Sequence, residues 1–393
     1  TKNVFFKANL LAFIEKNISD AMPDLPSAYV TTDTNFGRAT QAACQALLSR
    51  VYLYAASPLF NKEKNITKWE KASNAAKTFL ETYTQYDLHP DYVKCFNQPS
   101  GSVNKEIIFA RNFTETNGHN VPMDNLNRRY GAYGGWWASN GPSQNLVDDY
   151  DMINGEPPFI WESGKKTINP LSGYNPQNPY KDRDPRLDAT IIHDESTYHG
   201  DFFEMWVASD GKSWGYDNYR QSGDNPLTNY VLRKFMPDEG TPLSWQTTYT
   251  MPWIFFRLGE IYLNYAEAQL ELGDEGECRK YINLIRDRVG MPNIPVTVTG
   301  EKLRQRLYNE RRIEFAFAEH RYFDLRRWNL AMEIENRPIY GMTITKDVTT
   351  NKKTYNEEKL LERVFTEKMY LLPIATEEIK KNNGTLLQTE TWR

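Results

Sequence analysis

Cysteine, histidine and long apolar runs are scarce in this chain of 393 residues. The three cysteines, Cys44, Cys95 and Cys278, are far apart and form no CxxC pair, which argues against a disulfide framework and a structural zinc site. No apolar run approaches the roughly 18 residues that cross a bilayer. The motifs of P-loop, dinucleotide-binding, HExxH and nucleophile-elbow enzymes are also missing. We therefore expect small buried thiols, no cofactor and no metal centre.

An excess of charge of either sign is missing as well. The formal net charge is −4, from 47 Lys and Arg against 51 Asp and Glu. The main Arg-rich stretch, Arg304–Arg327, also holds four acidic residues, so its field is largely self-neutralised. Affinity for a phosphate backbone or an anionic lipid depends on clustered Lys and Arg. We expect no nucleic acid partner and no direct binding to a membrane surface.

The first residues lack the marks of a natural N-terminus. There is no initiator Met and no signal peptide, and the chain opens inside a helical pattern around Val4–Ile14. We expect an upstream segment to be missing, together with any targeting signal that it carries.

Helical periodicity is strong at both ends of the chain. An alanine-rich apolar face runs from Ala39 to Tyr54 and closes at Ser57-Pro58, and a second face spans Trp69–Leu80. Two such antiparallel helices are typical of a tetratricopeptide-like hairpin. A second hairpin is predicted over about 255–273 and 277–289, and a long helix over about 300–320.

The middle of the chain lacks this periodicity and is dense in Gly, Pro, Asn, Asp and aromatic residues, which marks turns and long loops. Short strands are predicted at Ile107–Arg111 and Tyr230–Lys234. We therefore predict a mainly α fold. Tetratricopeptide-like hairpins at 1–90 and 251–393 form its scaffold, residues 91–250 form a loop-rich aromatic region that presents ligand, and a few short strands complete it. The three parts are expected to form one intertwined structural domain.

The charged segment Asn309–Trp328 holds one set of candidate acid–base residues. Glu310 and Glu314 are four residues apart, as are His320 and Asp324. This spacing would suit general acid–base catalysis or a metal site. The many arginines beside these carboxylates would lower their pKa values and repel a cation, so we favour a structural role.

Two loop segments offer carboxylates whose spacing in the fold cannot be read from the sequence. Asp148-Asp149 and Asp182–Asp184 are the best candidates for a glycosidase pair. Aspartate is also common in turns and caps, and we favour that interpretation.

Aromatic rings outside the helical pattern carry the strongest functional signal. A flat ring with one wet edge stacks on the apolar C–H face of a sugar, while Asn, Asp and Arg bind the hydroxyls. Ten rings in the loop region fit this description, several of them beside glycine: Tyr130, Tyr133, Trp136, Trp137, Trp161, Trp206, Trp214, Tyr216, Tyr219 and Trp245. We predict that six of these bind carbohydrate: Tyr133, Trp136, Trp137, Trp214, Tyr216 and Tyr219.

Several segments resemble the SusD/RagB family over about residues 20–392. The strongest are Arg257–Ala268, Ile282–Pro292 and Glu310–Trp328. Ser143–Asp148 with Asn154-Gly155, and Tyr370–Ile374, are similar to further family markers. The chain departs from the family at Ala318-Glu319, where a Glu-Gly pair is common, and at its ending Gln388–Trp392. Family members also carry a longer N-terminal portion that is not seen here.

The resemblance implies a surface-exposed outer-membrane lipoprotein of Bacteroidota that is not an enzyme. It would capture an oligo- or polysaccharide and hand it to a SusC-like TonB-dependent transporter. Membrane association would run only through an N-terminal lipid anchor that is not present in this sequence. Two alternatives stay open: a protein-interaction scaffold of tetratricopeptide type, and a glycoside hydrolase that uses the loop carboxylates.

Overall fold

The computed structural model describes residues 2–130, 138, 140–162, 164–221, 225–244, 246–383 and 385–393. In chain order its α-helices are α1 (Lys2–Ala21), α2 (Gln41–Ala56), α3 (Ile66–Thr82), α4 (Lys94–Asn97), α5 (Val121–Asn125), α6 (Gln144–Asp149), α7 (Arg186–Thr190), α8 (Leu258–Glu271), α9 (Glu275–Arg288), α10 (Gly300–Glu314), α11 (His320–Arg327), α12 (Ala331–Ile334) and α13 (Thr376–Lys381).

The strands form small sheets between and beside these helices. They are β1 (Ile107–Arg111), β2 (Phe159–Glu162), β3 (Lys165–Ile168), β4 (Ile191–Ile192), β5 (Thr197–Tyr198), β6 (Asp201–Phe202), β7 (Val207–Ala208), β8 (Val231–Leu232), β9 (Trp253–Arg257), β10 (Ile339–Lys346) and β11 (Lys353–Leu361). Antiparallel pairs join β1 to β9, β2 to β3, β4 to β8, β5 to β6 and β10 to β11, and β7 lies parallel to β10. The predicted mainly α fold with helical hairpins is confirmed.

The first predicted hairpin, α2 with α3, packs against α8. Ala42 and Ala46 of α2 meet Ala76 and Phe79 of α3, and Ile261 of α8 completes the same cluster. The small alanine side chains let the helix backbones approach closely, and the aromatic ring fills the remaining space. The two hairpins, far apart in sequence, therefore share one core, as predicted.

The second hairpin, α8 with α9, continues this core into α10. Leu263, Cys278, Ile282, Leu303 and Leu307 are all buried there. The prediction that the helix resumes at Phe255 is wrong, because residues 253–257 form β9 and pair with β1. Aromatic and β-branched residues fill this stretch, and the edge of β1 supplies the backbone partners that favour a strand.

The prediction of one continuous helix over 300–320 is also wrong. Helix α10 ends at Glu314, and α11 begins at His320. Phe317 and Glu319 adopt left-handed φ values of 59° and 64° between the two helices. Side-chain periodicity alone does not reveal this break, since neither glycine nor proline marks it. Glu319 occupies a left-handed position that glycine adopts without steric penalty.

The aromatic middle region shares its core with the C-terminal part of the chain. Tyr150, Phe203 and Tyr230 are buried in one cluster with Ile313 and Ile344. The long β10–β11 hairpin, which the pattern of the tail does not predict, supplies part of that cluster. The rings of this region are therefore divided between the interior and the surface.

Two further expectations concern the thiols and the membrane. Cys95 and Cys278 are buried, as predicted, and Cys44 is half-buried. Among the helices in the described ranges, none is both long enough and apolar enough to cross a bilayer.

Candidate functional site

A buried network of arginines and carboxylates contains the first candidate acid–base pair. Glu310 accepts hydrogen bonds from Arg186 at 2.5 Å and Arg286 at 3.1 Å. Glu314 has no exposed surface and binds Arg257 at 2.6 Å and Arg186 at 3.0 Å. Both carboxylates of the pair are therefore held by buried guanidinium groups.

The electrostatics of Glu314 oppose a catalytic role. Burial alone would raise its pKa, but Arg288, Arg257 and Arg186 outweigh that effect and hold the pKa well below its usual range. A general acid at neutral pH needs a raised pKa instead. Glu314 therefore acts as a permanent anion that neutralises buried cations.

The second candidate pair, His320 and Asp324, lies on α11. Burial lowers the pKa of His320 to about 4, so the imidazole is neutral at physiological pH. Asp324 accepts hydrogen bonds from Arg327 at 2.8 Å and Arg311 at 3.2 Å. Burial would raise the pKa of Asp324, but these two arginines lower it. The pair is held in place by packing and by arginine, which is the structural role predicted for it.

Three of the four candidate loop carboxylates are paired with cations as well, and the fourth, Asp182, is exposed. Asp148 bonds Lys166 at 2.7 Å, Asp149 bonds Arg312 at 2.7 Å, and Asp184 is fixed by a buried arginine at 2.8 Å. Burial raises the pKa of Asp148 to about 6 despite its lysine partner. Within the described ranges, no group of three or more His, Cys, Asp or Glu side chains could hold a metal ion.

Three of the predicted ligand-binding rings, Trp214, Tyr216 and Tyr219, lie on one short stretch of chain. Trp214 and Tyr216 are 37% and 42% exposed, and Tyr219 is half-buried. Arg128 and Arg129 flank the ring of Tyr216, with guanidinium carbons 5.6 and 4.8 Å from its centroid. We call these three rings and two arginines the aromatic surface.

A close approach of two chain segments presents these rings. The Gly215 amide donates to the carbonyl of Trp206 at 2.8 Å, and the Asp217 amide donates to that of Glu204 at 2.9 Å. A Cβ atom at Gly215 would lie 2.2 Å from the Glu204 carbonyl oxygen, so a side chain there would force the segments apart. Alternate residues of an extended segment point to opposite sides. Glycine and aspartate therefore face inward, while Trp214 and the tyrosine two residues later face solvent.

Asp217 holds the aromatic surface in place from the buried side of the segment. Its fully buried carboxylate accepts hydrogen bonds from Arg129 at 2.6 and 2.9 Å and from Asn127 at 2.9 Å. The Arg129 side chain is therefore fixed where it meets the face of Tyr216, an arrangement that favours a cation–π contact.

Polar groups border the rings. The Trp214 indole N–H donates to the side-chain oxygen of Gln221 at 2.7 Å, and Arg128 donates to the carbonyl of the same glutamine at 3.1 Å. The guanidinium of Arg220 lies 4.6 Å from the ring centroid of Tyr219. Exposed rings bordered by such donors and acceptors can stack on an apolar face and bind the hydroxyls around it.

The other predicted rings are placed differently. Tyr133, Trp136 and Trp137 lie outside the described residues, so their role stays a prediction. Of the remaining candidates, Trp161 is exposed on β2, away from this segment in the chain. Tyr130 and Trp206 are half-buried against the core, and Trp245 also lies outside the described residues.

Sequence reasoning missed the residues that support the rings. Asp217, Arg129 and Gln221 carry no motif, and the pair of Asp217 and Arg129 joins segments 88 positions apart. Only the glycine between two aromatic residues at Gly215 could have signalled an exposed, closely packed segment.

Comparison with known proteins places these features in a family. The model of the SusD family matches residues 105–392. A SusD-like protein of Formosa agariphila is 28% identical over 395 residues, which cover 95% of this chain and 64% of that relative. The chain thus spans less than two thirds of the length of this curated relative.

Two solved structures from Bacteroides fragilis share the fold. A SusD-like protein is 28% identical with a TM-score of 0.73, covering 98% of this chain and 71% of that one. A SusD-like carbohydrate binding protein is 27% identical with a TM-score of 0.75, covering 95% of this chain and 70% of that one. Since the family model spans well over half of the residues and the helical scaffold matches these structures, the chain belongs to the SusD family.

Proposed function

We propose that the protein captures an oligo- or polysaccharide at the cell surface and does not transform it. The observation that carries this proposal is the aromatic surface, where Trp214 and Tyr216 are exposed on a rigidly anchored segment. A similar structure is described as that of a carbohydrate binding protein, which supports the same ligand class.

Rigidity is what makes these rings suitable for binding. Asp217 fixes Arg129, and Gln221 fixes the indole edge of Trp214, so little side-chain entropy remains to be lost when a sugar docks. The ring faces supply apolar contact area, and the guanidinium groups supply donors for hydroxyl oxygens. Tyr133, Trp136 and Trp137 are proposed to contribute further stacking area.

Capture would serve import. We propose that the complete protein is a surface-exposed lipoprotein of the outer membrane, anchored through a lipid at its N-terminus. It would pass its glycan to a partner TonB-dependent transporter of the SusC type. Family membership supports this arrangement.

Affinity gel electrophoresis with a broad panel of polysaccharides tests the proposed glycan binding. We expect at least one polysaccharide to retard the wild type. Trp214→Ala and Tyr216→Ala should each weaken that binding about tenfold, the equivalent of about 1.4 kcal/mol. Tyr322→Ala is the matched control, because Tyr322 is 40% exposed on α11, far along the chain from the aromatic surface.

Four outcomes would contradict parts of the proposal. Binding to no polysaccharide would refute capture, and equal losses in Tyr216→Ala and Tyr322→Ala would refute this location. New reducing ends after prolonged incubation with a bound glycan would show hydrolysis. For the import arm, the full-length tagged protein is purified from native outer membranes, and the absence of a TonB-dependent transporter in the eluate would refute that partner.

A further inference from the structure

A second candidate site lies away from the aromatic surface, in a cavity of about 500 Å³. Its walls come from α6, the β2–β3 hairpin, the two sides of the α10–α11 break and the β10–β11 hairpin. This volume lies within the usual range of small-molecule sites. We call it the cationic cavity because of the lysine and arginine side chains that line it.

Every carboxylate that lines the cationic cavity is already paired with a lysine or an arginine. Lys166 binds both Asp148 at 2.7 Å and Glu357 at 2.5 Å. The other two lining carboxylates are bound at 2.7 Å by the lining arginines of α10 and of the segment after β11. Three cations thus pair with four acidic groups, which leaves one negative charge over.

Two lining cations remain without such a partner. The half-buried side chain of Arg321 on α11 forms no hydrogen bond or ion pair with the other described residues, although Asp149 and Glu335 favour its charge from a greater distance, and its Nε is buried without an acceptor. Lys165 at the start of β3 is exposed and likewise unpaired within the described ranges. Partial burial of a guanidinium that has no hydrogen-bonded carboxylate is unfavourable. An arginine retained in that state points to a ligand that supplies the missing anion.

An apolar ring accompanies these charges in the cavity wall. Trp161 of β2 is 41% exposed, and the guanidinium carbon of Arg337 lies 4.0 Å from its ring centroid. Arg337 covers one face of the indole, so the exposed remainder of the ring supplies the surface for stacking, and Arg321 supplies donors for a carboxylate or a sulfate. A ligand that matches both must carry an anionic group on a body with an apolar face.

We propose that the cationic cavity binds the acidic unit of a glycan, with a carboxylate or sulfate on Arg321 and the sugar ring against Trp161. Lys165, at the exposed side of the site, would attract the same charge. This inference rests on the proposed function and adds to it a ligand class, acidic saccharides, and a second binding place. It does not involve the aromatic surface.

The test compares acidic with neutral polysaccharides in affinity gels at low salt. The acidic probes are polygalacturonate, alginate, chondroitin sulfate and carrageenan, and the neutral probes are xylan, mannan, laminarin and starch. We expect at least one acidic probe to bind and its affinity to fall as NaCl is raised, because exposed charges are screened. Methyl esterification or desulfation of that probe should weaken binding at least tenfold.

Variants locate the interaction. Arg321→Gln and Trp161→Ala should each weaken binding of the acidic probe at least tenfold, and Arg321→Gln should also reduce its dependence on NaCl. If changes at the half-buried Arg321 impair folding, Lys165→Gln still tests the site, because Lys165 is exposed. This variant should weaken binding of the acidic probe about threefold. Arg38→Gln and Lys62→Gln, at exposed positions elsewhere, are the charge-matched controls.

The outcomes separate this inference from the proposed function. Binding of neutral probes alone would overturn the acidic ligand and leave glycan capture intact. Binding of an acidic probe that is unaffected by Arg321→Gln, Trp161→Ala and Lys165→Gln would overturn the location. Equal competition by free sulfate or acetate at constant ionic strength would overturn the saccharide and leave a simple anion site. Binding of no probe would overturn both proposals.

Discussion

The replacement Glu314→Gln tests whether the central charged network is structural. The fully buried carboxylate accepts hydrogen bonds from Arg257 at 2.6 Å, Arg288 at 2.6 Å and Arg186 at 3.0 Å. Glutamine has nearly the same shape, but it is neutral and turns an amide donor toward a guanidinium donor. The change therefore removes charge with little change in volume.

The size of the effect follows from the remaining partners. Removing one member of a buried ion pair typically costs about 3–5 kcal/mol. Here Arg257 and Arg288 keep Glu106, and Arg186 keeps Asp184. We therefore expect the lower end of that range, about 3 kcal/mol of the free energy of unfolding, a large fraction of ordinary protein stability.

Urea unfolding followed by tryptophan fluorescence and by circular dichroism measures this loss. At a slope of about 3 kcal/mol per molar urea, the midpoint should fall by about 1 M. Glu319→Gln is the control, since Glu319 is exposed and unpaired within the described ranges, and its midpoint should not move. At urea concentrations below the unfolding transition, neither change should affect glycan binding.

The pH dependence gives an independent check. Because arginines hold the pKa of Glu314 below its usual range, the carboxylate stabilises the fold above the unfolded pKa of about 4.3, and this contribution is lost as pH falls through the folded pKa. The difference between wild type and Glu314→Gln should therefore be full at pH 7 and shrink in acid. An unchanged midpoint, or a loss of binding without a loss of stability, would refute the structural interpretation.

Three further changes should alter stability in directions that the structure fixes. Burial raises the pKa of Asp148 to about 6, so ionisation of this carboxyl destabilises the fold as pH rises from about 4 to 6. In urea titrations, Asp148→Asn should therefore gain stability relative to wild type between pH 4 and 7. Gly215→Ala should lower the free energy of unfolding by about 1–3 kcal/mol and also weaken glycan binding, because its Cβ would collide with the Glu204 carbonyl. Gly240→Ala, where a Cβ has room, should change neither stability nor binding. Glu319→Gly should gain roughly 0.5–1 kcal/mol by relieving a left-handed conformation, and a lower melting temperature would contradict that account.

The helical scaffold could be predicted because its signals are local. The alanine spacing and the stop at Ser57-Pro58 lie in one continuous stretch of chain, and α2 ends at Ala56 as that pattern indicates. The break between α10 and α11 has no such signal. Buried packing of Phe315 and ion pairs from Glu314 to distant segments of the chain hold it, against the preference of the local sequence.

The candidate sites could be predicted only in part, for the same reason. The exposed rings of Trp214 and Tyr216 follow from glycine between two aromatic residues. The anchoring of Asp217 by Arg129 and the cationic cavity around Arg321 depend on segments brought together by folding. The spacing of residues in a single sequence does not indicate which carboxylates those cations will contact in the fold.

The buried arginine bridges also bear on how the chain assembles. Arg257 reaches Glu106 across 151 positions, and Arg286 reaches Asp151 across 135. A fragment that begins near residue 251 would keep one carboxylate partner for each arginine, Glu314 for Arg257 and Glu310 for Arg286, but it would lose Glu106 and Asp151. Its buried ion pairs would therefore be incomplete. The C-terminal helices acquire their full set of partners only when the middle of the chain folds against them, and we expect slow, cooperative refolding.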